Sequence, residues 1–318
     1  MIKLLNFLMF VLAVCMLFLI LSATWILVPL DLTEPTEKTL VIPYEYNSAR
    51  IRGLLEEEGI IRPGNVIFQL LTRAMKIDNR LQSGEYKFSS SENLLQIIEK
   101  LEKGKILLHR ITIPEGYQSS QIAELLDGNR IAPYDGIMQQ IQEENDFREG
   151  YLFPDTYTFP RNFGPTNALK TMYDNFKKVV YEHVDPEQNF PGDLSFNEVI
   201  ILASIIEKEA LGDEDKPRIA SVFYNRLRDG MRLQSCATIQ YLLDKPRERL
   251  TQQDLEIESP FNTYLNSGLP PEPICNPGLK SILAAVEPAE EDYVFFVLGK
   301  EGEHIFTRTY QEHLDNKP

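Results

Sequence analysis

The chain has 318 residues, with 47 acidic against 32 basic side chains and a formal net charge of -15. That length accommodates one large domain or two ordinary ones. No basic run or patch breaks the acidic balance, which argues against nucleic acid as a partner. The scattered His109, His183, His304 and His313 form no cluster with cysteine at metal-ligand spacing, so neither a metal nor another cofactor is expected.

The N-terminus departs from the soluble look of the rest. Leu4 to Val28 contains no charged residue, and about 25 apolar residues suffice to span a bilayer. Lys3 precedes this run, while Asp31, Glu34 and Glu37 follow it. The positive-inside rule then keeps the N-terminus in the cytoplasm and exports the remainder. Residues 1–30 are expected to form an uncleaved single-pass anchor and flank in the plasma membrane. A cleaved signal peptide is the alternative, though no small-x-small site closes the run well. Leu12-Ala-Val-Cys15 places Val14 where lipoprotein cleavage needs a small residue. Residues 31–38, with Glu34, Pro35 and Glu37, read as a linker.

The next elements are short. Thr39 to Tyr44 is rich in β-branched residues and predicts a strand. Ser48 can cap a helix to Glu58, ended by Gly59, and a second helix is expected from Asn65 to Met75. Gly84 to Phe88 alternates as a strand. Ser89-x-x-Glu92 reads as a capping box before a helix ending near Gly104, and Lys105 to Ile113 as a strand before Pro114-Glu-Gly116. The pattern is then helical to about Asp127. Residues 128–165 are rich in Pro, Gly and aromatics and are expected to be irregular, either a groove wall for sugar rings or a loop pinned to the core.

The best-marked element follows. Ser195-Phe-Asn-Glu198 is a capping box, and Val199 to Ile206 is apolar except for Ser204, which predicts a buried helix. It leaves the core at Glu207-Lys-Glu209. A carboxyl in apolar surroundings resists ionisation, the property a glycosidase-type general acid needs. The two glutamates lie about 200° apart around the axis and cannot serve one site. Periodicity does not choose between them. Pro217 suits the first turn of the next helix, which Gly230 ends. Met231 to Tyr241 is rich in uncharged hydrogen-bonding groups. Turns are expected at Asn262-Thr-Tyr264, Gly268 to Pro271 and Cys275 to Gly278. A helix over Leu279 to Val286 and strands near Tyr293 to Leu298 and His304 to Thr307 close the chain.

These segments together resemble the endolytic murein transglycosylases, the YceG-like family. The resemblance lies in Glu149-Gly-Tyr-Leu-Phe-Pro-Asp-Thr-Tyr157, Leu202-Ala-Ser-Ile-Ile-Glu-Lys-Glu209, Ala220 to Leu227, Met231-Arg-Leu-Gln-Ser235, Phe261-Asn-Thr-Tyr264, Gly268-Leu-Pro-Pro271 and Asn276-Pro-Gly278. It implies an α+β chain with an N-terminal transmembrane helix, a LysM-like module with its following helix and strand over 39–113, and a mixed α+β catalytic domain over 114–318. The strand-helix-helix-strand order of the module is similar to LysM, a fold that binds peptidoglycan glycan. A small stalk without a ligand is the alternative.

The resemblance implies that Glu207 is the catalytic acid and makes Gln234, Ser235, Thr238, Gln240, Tyr241, Asn262 and Tyr264 candidates for holding sugar hydroxyls and acetamido groups. Local backbone support is the alternative for each, and Glu149 is the reserve acid. Many members carry Asp where this chain has Cys236, so no role of that aspartate transfers. Cys236 and Cys275, the cysteines outside the span, can form a disulfide in an oxidising compartment or remain free. The implied activity is cleavage of the MurNAc-GlcNAc bond in nascent peptidoglycan to 1,6-anhydromuramic ends. Glycan strands are the expected substrate, with peptidoglycan synthases or division proteins as partners. The competing readings are a non-catalytic peptidoglycan-binding anchor or divisome scaffold, and a hydrolytic muramidase. The last needs a second carboxylate, and no obvious pair stands out.

Overall fold

In a computed structural model describing residues 2–31, 33–43, 46–143, 147–243 and 245–317, the chain separates into two units. One is 1–109 with 160–162, the other 110–159 with 163–318.

The first unit contains α1 (Ile2–Leu27), β1 (Glu37–Ile42), α2 (Ser48–Glu57), α3 (Val66–Ala74), β2 (Gly84–Ser89) and α4 (Leu94–Glu102). β1 and β2 pair antiparallel, with Thr39 opposite Lys87 and Ile42 opposite Gly84. The expected order of strand, helix, helix, strand is present, although Tyr44 lies outside the described residues. Asparagine starts the helices. Asn47 accepts the Arg50 N–H at 3.0 Å and Asn65 the Phe68 N–H at 3.3 Å. Asn47 therefore caps α2 in place of Ser48. The expected Ser89/Glu92 box also gives way, because Asn93 in extended backbone bonds the Gln96 N–H at 3.0 Å and Gln96 returns the bond at 2.9 Å. The short amide side chain reaches back without leaving the extended region. Ile42, Ile51, Leu55, Phe68, Tyr86, Phe88 and Ile98 form the core.

The expected membrane span falls on α1. Phe7, Leu8, Met9, Phe10, Leu17 and Phe18 are exposed there. Several other side chains of this helix, among them those at 2–6 and 25–27, are outside the described set. Among the described residues no helix is long and apolar enough to cross a membrane.

The second unit contains β3 (His109–Thr112), α5 (Ser119–Gly128), α6 (Tyr134–Glu143), β4 (Thr156–Phe159), α7 (Pro165–Tyr181), α8 (Phe196–Glu209), α9 (Lys216–Arg228), α10 (Cys236–Leu242), α11 (Gln252–Leu255), α12 (Leu279–Val286), β5 (Phe295–Leu298), β6 (His304–Thr307) and α13 (Tyr310–Asp315). The architecture is mixed α+β. The segment 128–165, expected to be irregular, carries α6 and β4. Ile137, Tyr157 and Phe159 are buried and give these elements a core face despite the surrounding Pro and Gly. They pack with Ile111, Ile122, Leu126, Leu169 and Met172.

A second core is built by α8, α9 and α12. Ser195 and Glu198 close the predicted capping box, with the Ser195 N–H donating to Glu198 at 2.8 Å. Every residue from Val199 to Ile206 is buried. Truncating one of these large side chains, such as Leu202→Ala, costs about 2–5 kcal/mol. The buried body of the helix positions its exit, one residue later, at Glu207.

Candidate active site

Glu207 occupies the last turn of α8 with its side chain only 10% exposed. The body of the helix is apolar as expected, but the carboxylate is not in an apolar setting. Its Oε2 accepts the Gly278 N–H at 3.0 Å and the Ser281 hydroxyl at 2.6 Å. Both donors belong to the N-terminus of α12, where unpaired N–H groups and the helix dipole favour an anion. The Lys216 ammonium at the start of α9 stands 3.6 Å from the same oxygen. Oε1 has no hydrogen-bond partner among the described residues. One oxygen is thus held while the other is left for a reacting group.

Lys216 ties further carboxylates to this place. Its side chain is 7% exposed, and Nζ lies 3.3 Å from Asp213 and 3.9 Å from Glu115. Asp213 also pairs with Lys280. Hydrogen bonds from Lys280 and then Lys216 hold Asp213 below its ordinary carboxyl value. Glu115 is shifted the other way, by partial burial and then by the negative charge of Glu207. Glu115, Lys216, Gly278 and Ser281 were not among the expected site residues. Their sequence signals are slight: a Pro114-Glu-Gly116 turn, a lysine beside Pro217, and the Asn276-Pro-Gly278 block. Because Glu115 shares the ammonium with Glu207, the site does contain a second carboxylate.

The other glutamate of the α8 exit serves the scaffold. Glu209 Oε1 accepts the Ser235 hydroxyl at 2.5 Å and the Ala237 N–H at 3.1 Å. It caps α10 from another helix. That is why α10 was not legible locally, since its cap is remote and its own sequence includes β-branched Thr238 and Ile239. Glu149 is likewise committed. Its oxygens accept the Ser119 N–H at 3.0 Å and the Asn276 amide at 2.8 Å. Burial still pushes this carboxyl up to about 7.

The candidate substrate-holding residues divide into two groups. Ser235 is buried against Glu209 and Thr263, and Thr238 donates to the Ser235 carbonyl at 2.8 Å. Gln240 exchanges hydrogen bonds of 2.6 and 2.9 Å with the Arg247 backbone. Asn262 donates to the Leu255 and Ile257 carbonyls at 3.0 and 2.8 Å. Tyr241 packs its ring against Phe261 at 5.0 Å. These side chains brace the 231–264 loops. Gln234 is exposed, with φ +49°, and its side chain has no hydrogen-bond partner among the described residues. The Tyr264 hydroxyl meets the Cys236 thiol at 3.0 Å.

All three cysteines are free, so the Cys236–Cys275 bond held open by the sequence is absent. Cys236 is exposed beside Tyr264, whereas Cys275 is buried and donates to the Ser204 carbonyl at 3.3 Å. Among the described residues no group of His, Cys, Asp and Glu is placed to hold a metal ion. A cleft of about 530 Å³ lies elsewhere in this unit, and two of its polar side chains, Ser221 and Asn225, are engaged with the Glu291 backbone.

The profile of the YceG-like family matches residues 40–318. The chain is 33% identical over 315 residues to an endolytic murein transglycosylase of Bacillus subtilis strain 168, covering 89% of this chain and 86% of that protein. It is 28% identical over 333 residues to one of Streptococcus pneumoniae D39, covering 91% of this chain but 59% of that longer relative. Among solved structures, a crystal structure of a yceG-like protein from Listeria monocytogenes at 2.6 Å aligns with a TM-score of 0.58 and 30% identity, covering 89% of this chain and 100% of that one.

Proposed function

The chain belongs to the YceG-like family, and from that premise we propose that it is an endolytic lytic transglycosylase of peptidoglycan. It cuts the MurNAc-β-1,4-GlcNAc bond within nascent strands, leaves 1,6-anhydromuramic ends and so terminates elongation near the synthases. The observation that carries this reading is the asymmetric hold on Glu207. Oε2 is fixed by Gly278 and Ser281, which aims Oε1 as the proton carrier. The protonated Oε1 donates to the departing glycosidic oxygen, and the carboxylate so formed takes the proton of the muramic 6-hydroxyl as that oxygen attacks C1 through an oxocarbenium-like state. The hydroxyl is part of the substrate, so correct placement replaces the diffusional encounter that water would need.

The exposed apolar side chains of α1 support attachment to a membrane, and Lys3 before this run with Asp31, Glu34 and Glu37 after it supports a cytoplasmic N-terminus and an extracytoplasmic catalytic unit. In the first unit, a cleft of about 570 Å³ lined by Tyr46, Asn47, Asn79, Arg80 and Gln82 supports the LysM-like reading, because an aromatic residue and amides, both suited to a glycan, line the same cleft.

The test is digestion of purified glycan strands by the full chain in detergent, with mass spectrometry of the ends. Anhydro ends are expected from the wild type and none from Glu207→Gln. Reducing ends would identify a hydrolase instead, and no release from the wild type would leave a scaffold.

A further inference from the structure

Glu115 is the carboxylate that a single-acid mechanism leaves idle. We propose that it is a second catalytic group, taking the proton of the muramic 6-hydroxyl while Glu207 protonates the leaving oxygen. The inference rests on the transglycosylase reading above and assigns the base within it.

Backbone contacts bring the two carboxylates together. The Pro114-Glu-Gly116 turn docks on the end of α8 and on the turn before α12. The Gly116 N–H donates to the Asn276 carbonyl at 2.9 Å, and Lys208 Nζ donates to the Gly116 carbonyl at 3.4 Å. Gly116 has φ +75°, and a β-carbon there would stand 3.5 Å from Glu207 Cγ. Gly278 touches both acids. Its N–H donates to Glu207, and a β-carbon on it would overlap the Glu115 carboxylate. Glycine at 278 therefore leaves room for the Glu115 carboxylate beside the N–H that holds Glu207.

The acids differ in what remains available. Glu207 Oε2 has three polar neighbours, whereas Glu115 accepts no hydrogen bond among the described residues and its side chain is 52% exposed. It can meet a substrate hydroxyl without giving up a hydrogen bond of the described residues, its one ion pair being the 3.9 Å contact with Lys216. The surrounding charges are Glu115, Glu207 and Asp213 against Lys216 and Lys280, with the Lys208 ammonium on the Gly116 carbonyl. Three carboxylates thus face three ammonium groups, and Glu115 and Glu207 share one of them, Lys216. Partial burial and then the Glu207 charge, with Asp213 adding and Lys216 and Lys280 opposing, shift Glu115 upward, so that once ionised it is a stronger base than an ordinary surface glutamate.

The step balances without water or a co-reactant. The C1–O4 bond breaks, and O4 takes the Glu207 proton. The O6–C1 bond forms as the O6–H proton passes to Glu115. The enzyme ends with Glu115 protonated and Glu207 ionised. Solvent resets the pair, because Glu115 is open to it.

The experiment compares full-length wild type, Glu115→Gln, Glu115→Asp and Glu207→Gln on purified glycan strands, reading kcat, KM, product ends and thermal unfolding across pH 4–9. Two groups in opposite protonation states require a bell-shaped kcat profile. Glu115→Gln is expected to lower kcat about 100-fold or more with KM within about threefold, to lose the acid limb, and to unfold at the wild-type temperature. Glu115→Asp should recover part of kcat and restore the acid limb. Wild-type kcat and an unchanged profile in Glu115→Gln would overturn this inference alone. Absence of anhydro ends from the wild type overturns the transglycosylase reading and this inference with it.

Discussion

Glu149 and Glu207 both bind the Asn276-Pro-Gly278 turn, and they use their oxygens differently. Glu149 faces the Ser119 N–H and the Asn276 amide, so its oxygens are occupied by the fold. Glu207 gives one oxygen to Gly278 and Ser281, and among the described residues its other oxygen has no hydrogen-bond partner. Burial displaces the Glu149 carboxyl to about 7. On the proposed mechanism the catalytic acid is marked by spare bonding capacity beside a second acid and a buried ammonium, and not by a displaced titration.

The largest expected effect tests that contrast. Glu207→Gln should lower kcat by about 100- to 10,000-fold, or about 3–5 kcal/mol of barrier, with little change in unfolding temperature. Glu149→Gln in the same glycan assay should stay within about tenfold of wild type. If the two losses exchange places, the assignment is reversed.

Asn276 is the next lever, because the two acids meet through its turn. Its side-chain oxygen accepts the Gly150 and Leu152 N–H groups at 3.0 and 2.9 Å, and its amide donates to the Tyr117 carbonyl and to Glu149. Asn276→Ala leaves two buried N–H groups without acceptors and should cost about 2–4 kcal/mol, measured by urea unfolding. A loss below about 1 kcal/mol would mean that water or a shifted backbone replaces the hub.

Glu149 offers a finer test through pH. Between the ordinary carboxyl value of 4.5 and about 7, the native state holds a proton that the unfolded chain has released. Stability therefore falls as pH rises through that window and is flat above it. Glu149→Gln removes the titration. It should match wild type near pH 5 and, allowing for the partial exposure of Glu149, exceed it by about 1–2 kcal/mol at pH 8. Equal slopes of unfolding temperature against pH in the two proteins would place the titrating group elsewhere.

The same contrast explains what the sequence could and could not convey. The capped, wholly apolar α8 was legible because both its start and its burial are written in consecutive residues from Ser195 to Ile206. Periodicity left Glu207 and Glu209 open and only the family resemblance pointed to Glu207; what separates their surroundings, α12 binding one acid and α10 the other, comes from distant segments. Glu115 was hidden for the same reason, as a surface-like residue in a turn whose partners lie at 207, 216 and 278. The α6, β4 and α10 elements went unmarked where Pro and Gly, or a remote cap, masked their start signals, and α7 went unmarked although Pro165 at its first position is itself a start signal. Most candidate sugar-holding polar residues were correctly seen as hydrogen-bonding groups, yet the fold uses Ser235, Thr238, Gln240 and Asn262 on itself.

The smallest expected effect concerns Cys236, the exposed thiol beside Tyr264. A bond to Cys275 would stabilise the unit by about 2–4 kcal/mol, and its removal would be felt only under oxidising conditions. With both thiols free, Cys236→Ser keeps a hydroxyl within reach of Tyr264 and should change stability by less than about 0.5 kcal/mol, with or without reductant. Cys275 would have to leave the Ser204 carbonyl and a fully buried position before it could pair, which opposes bond formation even in an oxidising compartment. A reductant-dependent loss of 2 kcal/mol or more (by about the disulfide scale) in wild type but not in Cys236→Ser would show that the bond forms. The 231–236 loop would then be cross-linked to the turn that holds Glu207, and Gln234 would be fixed relative to the acid instead of free to adjust to a sugar.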